Sequence, residues 1–292
     1  METGRRYLIA AGFLLPFAVG LVLFQYWPIV SMVKNSFHQF SFLSAAAPKN
    51  VGLANYEALV EDPQFHKAIT VTLIFAVGVV VLVVPLGLAL ALFLNQNFRG
   101  TRVLRLVAFM PVVTSVVVVA TLWRLLLDPA NGLLNTTLSS VGIGRQPFLT
   151  SSHQALPSII AMTAWQQVGF SMILFLAGLQ GIPAEIQEAA ELDGATSLQR
   201  FRYVTLPALR RTMVFVLVVM TIFSFQAFAP DFVLTQGGPE NSTLLLVYYL
   251  YRTAFGFFQP GYASAMAVVL FLMIVAIGAG QALVQRAARR VR

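Results

Sequence analysis

The 292 residues are 58% hydrophobic and only 10% charged, with a mean hydropathy of +0.78, which excludes an ordinary soluble domain and describes a chain whose solvent is mainly lipid. The formal charge of +8 resembles that of a nucleic-acid binder, but its distribution along the chain assigns it to membrane topology. With no cysteine, neither a disulfide framework nor a thiolate metal site is available.

In chain order, six apolar stretches approach or exceed the roughly 18 to 20 residues that span a bilayer: residues 7–29, 68–94, 106–127, 155–179, 212–229 and 262–284. The first follows Arg5 and Arg6, as a signal peptide would. It is too long for one, and no small-x-small cleavage site follows Trp27-Pro28, so it is expected as a retained span. Residues 31–67 form a polar connector, partly helical around Asn55 to Leu59. Residues 128–154 open with the turn signal Asp128-Pro129-Ala130-Asn131-Gly132, and residues 230–261 carry a second turn at Gln236-Gly237-Gly238-Pro239. The expected fold is an all-α polytopic membrane protein, a single transmembrane domain over residues 1–292.

Six spans put both termini on one side, and the bases identify it. The terminal segments, the 2–3 connector and the 4–5 connector hold thirteen bases against five acids, a net of +8, while the opposite side holds six of each. By the positive-inside rule the first set is cytoplasmic, which places both termini in the cytoplasm of a cell or inner membrane. The entire net charge is then accounted for without nucleic acid.

The longest polar segment on the cytoplasmic side is residues 183–207. Pro183 suits a first helical position, Glu185 and Glu188 suit the positive end of a helix, and Gly194 can end it. Thr196 or Ser197 can cap a second short helix, and Pro207 ends or kinks that helix before the next span. An ordinary interfacial helix carries Lys and Arg on its polar face, whereas residues 184–193 hold four acids and no base.

Missing groups narrow the chemistry. The lysines are Lys34, Lys49 and Lys67, none preceded by glycine, so the chain cannot supply a phosphate-binding loop. His38, His66 and His153 lack metal-ligand spacing, and no metal site is expected. No serine has a plausible His and Asp partner, so no enzyme activity is expected. The spans hold almost no acids or histidines, which weighs against an ion-coupled secondary transporter. Arg124 and Asp128, spaced i and i+4 at the outer end of the third span, are expected to pair. Polar side chains at membrane depth are Thr114 and Ser115, Gln166, Gln167 and Ser171, and Gln226. Each either bonds to a neighbouring helix or lines a polar path. Gln226, flanked by Phe223, Phe225 and Phe228, has the amide and aromatic faces that suit a sugar.

The 183–207 segment resembles the cytoplasmic EAA loop of ABC importer permeases, with Glu188, Ala189, Ala190, Gly194, Val204, Leu206 and Pro207 at the family's spacing. Asn131-Gly132-Leu133-Leu134-Asn135, the run from Trp165 through Gly169-Phe170 to Ile182-Pro183, and Leu234-Thr235-Gln236-Gly237-Gly238-Pro239 are similar to the carbohydrate branch, which includes maltose-type and glycerol-3-phosphate-type subunits. The chain departs from many relatives at Phe228-Ala229, where they carry Phe-Asp. The resemblance implies six helices and half of a pathway for a sugar-like solute. It implies a second homologous permease, expected to be non-identical, with two ATPase subunits that bind ATP and magnesium, no cofactor in this chain itself, and an extracytoplasmic binding protein. It also implies that Glu188, Ala189, Ala190, Asp193, Gly194, Leu206 and Pro207 couple to the ATPase. A secondary transporter and a non-transporting scaffold or sensor are the alternatives.

Overall fold

The structure, a computed structural model, describes residues 2–96 and 98–290, with the side chains of residues 2–11, 282 and 284–290 outside the description. The terminal bases Arg5, Arg6, Arg286, Arg289, Arg290 and Arg292 therefore lie outside the described side chains. About 75% of the chain is helical, and the strands among the described residues are the two-residue His38–Gln39 and Lys49–Asn50. Four helices are long and apolar enough to cross a membrane, and two bent helix pairs bring the number to as many as six. This is the arrangement that lipid imposes, because a helix satisfies its own backbone polar groups.

The chain divides into two compact units. One joins the N-terminal residues through Pro63 to Leu250–Leu272. Its first span is helical from Gly12 to Ser36, includes a five-residue π-helical turn at Val22–Tyr26, and buries none of its apolar window. The following connector is built on hydrogen bonds. Asn55 donates through Nδ2 to the carbonyls of Ser36 at 2.8 Å and His38 at 3.2 Å, which ties the helix Ala54–Glu61 to the end of the span. The Tyr262 hydroxyl donates to Asp62 at 2.9 Å.

The other unit, Gln64–Tyr249 with Met273–Arg292, holds the main core. The helices Pro63–Leu94 and Ala155–Gln180 supply Phe75, Val79, Val83, Ile159, Met162, Met172 and Phe175, against which Val216 and Met220 pack. Small residues allow the close approaches. Gly87 meets Ser171, and Gly169 lies against the backbone of Ala108 and Phe109, where no Cβ could be accommodated.

The first span, expected to end at residue 29, continues to Ser36 through residues expected in the connector, and two further expected spans differ from the structure. Residues 106–127 are not one helix: Thr101–Val113 and Val116–Leu126 meet at 96°. Pro111 lacks the N–H of the helical ladder, and Thr114 and Ser115 then adopt extended backbone angles, with ψ of 138° and 129°. The Thr114 hydroxyl donates back to the Met110 carbonyl at 3.1 Å, a bond that commonly accompanies bending. The fifth span, expected at 212–229, is the helix Arg210–Phe225. It meets Ser197–Ala208 at 66° and ends at Gln226, before the short helix Ala229–Leu234.

Candidate coupling loop and polar path

Residues 183–207 fold as two short helices around a glycine turn. The first, Ala184–Leu192, has no buried residue. It closes in a Schellman motif, in which the Ala195 N–H donates to the Ala190 carbonyl and the Gly194 N–H to the Glu191 carbonyl, both at 3.0 Å. Gly194 takes φ +78°, the left-handed conformation this motif requires and a Cβ disfavours. A Cβ added there would meet nothing within 4 Å, so the backbone angle, not crowding, selects glycine.

Thr196 opens the second helix with a complete capping box. Its side chain accepts from the Gln199 N–H at 3.4 Å, and Gln199 Oε1 accepts from the Thr196 N–H at 2.7 Å. From Ser197 the helix runs through a π-helical turn at Phe201–Thr205 to Ala208, so Leu206 and Pro207 lie inside it, one turn before the bend.

Two contacts set the helices against each other. Arg200 and Glu191 form an ion pair at 2.8 Å, and Gln187 Nε2 donates to Thr205 Oγ1 at 3.2 Å. Between the loop and the ends of the helices that finish at Leu94 and Gln180 lies a groove of about 590 Å³, with Glu188 on its wall. Among the described residues neither Glu188 nor Asp193 has an ion-pair partner. Leu192 is 89% and Leu198 74% exposed, so the loop presents apolar side chains next to unpaired carboxylates. A surface of that composition fits a protein partner better than bulk water.

The residues at membrane depth separate into packed and open groups. Gln166 is buried and donates through Nε2 to the Thr114 carbonyl at 3.2 Å, which satisfies a backbone group that the break in the third span leaves without a helical partner. Ser171 is wholly buried against Gly87, and its hydroxyl has no partner among the described residues. Gln167 is partly exposed, while Ser115 and Gln226 are exposed. Gln226 is the residue at which its helix stops, with ψ 5°. The polar candidates thus gather at the two breaks and on the long helix beside the first. Irregular backbone at membrane depth is tolerated only against protein or water.

The sequence matches the model of the binding-protein-dependent transport system inner membrane component family over residues 83–291. The chain belongs to that family. This permease is 37% identical to the "Probable ABC transporter permease protein YurN" of Bacillus subtilis (strain 168), with 91% of each chain covered. It is 32% identical to the "Arabinooligosaccharides transport system permease protein AraP" of the same organism, covering 91% of this chain and 84% of that one. Its structure matches a chain of a bacterial ABC transporter involved in the import of the acidic polysaccharide alginate, with a TM-score of 0.84 and 25% identity over 98% of this chain and 97% of the other. The matched family region includes the whole of the 183–207 loop.

The sequence places Asp231 at the outer end of the fifth span, where bulk solvent or a partner subunit is expected to satisfy it, and the structure corrects that expectation. Asp231 is fully buried and accepts from the Gly237 N–H at 2.6 Å, the Leu245 N–H at 2.9 Å, the Thr235 hydroxyl at 3.1 Å and the Thr243 hydroxyl at 3.4 Å. Burial pushes its carboxyl up to about 6, against the pull of these four donors. The carboxylate organises the loop after Leu234 from within. The residue spacing offered no clue, because its partners lie four to fourteen positions away. The expected Arg124–Asp128 pair does not form. Asp128 Oδ1 instead accepts from the N–H groups of Ala130 and Asn131 at 3.0 and 2.8 Å, and Arg124 reaches the Val233 carbonyl at 3.4 Å. Asp128 is more favourably used in its own turn, where short-range geometry already places the donors.

Proposed function

We propose that this permease forms half of the membrane pathway of an ATP-driven importer for a sugar or sugar-like solute, as one transmembrane domain with both termini in the cytoplasm. The carrying observation is the loop at 183–207: an exposed element held in one conformation by its own caps, presenting Leu192, Leu198 and an unpaired Glu188. Such a surface suits docking on a separate ATPase subunit, where Glu188 would meet a base and the apolar side chains would leave water. ATP and magnesium would be held by two such subunits, since this chain has no phosphate-binding loop.

When the ATPase pair closes, the helix Ala184–Leu192 is carried with it. The Glu191–Arg200 pair and the Gln187–Thr205 bond pass that motion to Ser197–Ala208, and the bend after Ala208 turns it into a tilt of Arg210–Phe225. The polar breaks at Thr114–Ser115 and Gln226 then face the outside and receive solute from an extracytoplasmic binding protein. A second, non-identical permease would complete the path. The carbohydrate class is supported by the names of the arabinooligosaccharide and alginate relatives and by uncharged amides and hydroxyls at membrane depth.

The test is Gly194→Asp in the assembled complex. Solute uptake should fall to background while membrane insertion and expression stay unchanged. Uptake at the wild-type rate in a correctly assembled complex would remove the loop from the mechanism.

A further inference from the structure

The unit that contains the N-terminal span carries a second groove that the pathway does not use. Its volume is about 490 Å³, within the roughly 300–1,000 Å³ of small-molecule sites. Its walls include Gln39, Phe40 and Ser41 from the short strand and its loop, Phe258 and Gln259 from the turn before the last span, and Tyr262 from the start of that span. None of the lining residues is an acid, a lysine or an arginine. Aromatic rings with free amides are the chemistry that receives a sugar's apolar ring face and its hydroxyl edge. Among the described residues the side-chain amides of Gln39 and Gln259 are exposed and have no hydrogen-bond partner.

The groove is also held in place. Phe258 adopts φ +55°, a conformation that a bulky residue occupies only when its surroundings impose it. The Phe257 N–H donates to the Arg252 carbonyl at 2.9 Å, and the Gln259 N–H to the Thr253 carbonyl at 3.0 Å. Gly261 lies directly against the His38 carbonyl, where a Cβ has no room. Phe255 stacks on Phe42 with centroids 6.0 Å apart. This strained, over-determined turn sets the Phe258 ring on the wall of the groove.

We propose that this groove is an extracytoplasmic binding site for a neutral saccharide, separate from the polar path at membrane depth. The proposal rests on reading the chain as a carbohydrate permease with residues 31–67 and 230–261 outside the cell. Sugar would lie on Phe258 and be held by Gln39 and Gln259, so that solute is retained at the outer surface next to the permease.

The test uses the assembled importer in nanodiscs, without its binding protein, and saturation-transfer NMR with a panel of neutral mono-, di- and trisaccharides of pentoses and hexoses. At least one sugar should give a signal that falls fivefold or more in Phe258→Leu and in Gln259→Leu. The signal should persist in Phe258→Tyr, which keeps the ring. Retention of that reporter signal in Phe258→Tyr also demonstrates that the turn tolerates substitution. A signal indifferent to both groove variants overturns the proposal. So does the absence of any signal when the same complex, supplied with its binding protein, imports a member of the panel. If no member is imported and none gives a signal, the carbohydrate reading itself fails and this site falls with it.

Discussion

Two loops of this permease are fixed by opposite means. The loop at 183–207 has almost nothing buried in its first helix and is shaped by contacts between near neighbours: a glycine turn, a capping box and an ion pair nine residues apart. The loop after Leu234 is shaped by one buried carboxylate that gathers donors from Thr235 to Leu245. The first can move as a unit without exposing core, which suits an element that transmits motion. The second would have to break the hydrogen bonds that converge on one buried carboxyl in order to move, which suits a fixed part of the frame.

The sharpest way to break this contrast is Asp231→Ala. It orphans the buried backbone N–H groups of Gly237 and Leu245, while the Thr235 and Thr243 hydroxyls keep each other as partners, and each orphaned group costs roughly 1–3 kcal/mol. A loss of about 3–5 kcal/mol in total is expected, read as a large drop in the thermal midpoint of the detergent-solubilised chain. A midpoint within a degree of wild type would show that the carboxylate does not organise its loop.

The same residue predicts a pH dependence. Its carboxyl is raised from 3.8 unfolded to about 6 folded, so between those values the folded chain binds more protons than the unfolded one. The contribution of this group to stability is therefore complete below pH 4 and is lost as pH rises through about 6. The difference in thermal midpoint between wild type and Asp231→Asn should change across that window and be level above pH 7. A constant difference from pH 4 to 8 would contradict the raised value.

Effects on the 183–207 loop should be smaller and local. Thr196→Ala removes the cap and should cost about 1 kcal/mol of the second short helix, seen as faster amide hydrogen exchange at Ser197–Arg200 with no change in the global midpoint. Glu191→Gln should cost less still, under about 1 kcal/mol, because Glu191 is largely exposed and surface pairs are screened. Its effect on exchange should vanish at high salt. A global unfolding from either change would erase the distinction between the two loops.

What could be read in the sequence follows the same division. The second, fourth and sixth spans follow from length and hydropathy, although the second begins earlier, at Pro63, and the sixth at Pro260; the turn at Gly194 and a cap at Thr196 or Ser197 follow from short-range rules. Each depends on residues within a few positions. The break at Thr114–Ser115 was hidden because the apolar run continues through it. It depends on Pro111, on the back-bond of Thr114, and on Gln166 and Gly169 more than fifty residues away in sequence. Asp231 likewise stood at the edge of a span with no near partner to announce its burial. Asp128 carried a misleading signal, because i, i+4 spacing favours a pair only where the helix continues, and here it ends at Leu126.

The central claim is that Glu188 to Pro207 docks on a separate ATPase, and the most direct measurement is mass spectrometry of the proteins that copurify with this permease from gently solubilised native membranes. The account predicts an ATPase with a phosphate-binding loop, a second permease of the same family and a binding protein. A wild-type permease recovered without any ATPase, under conditions in which a related importer stays whole, would contradict it.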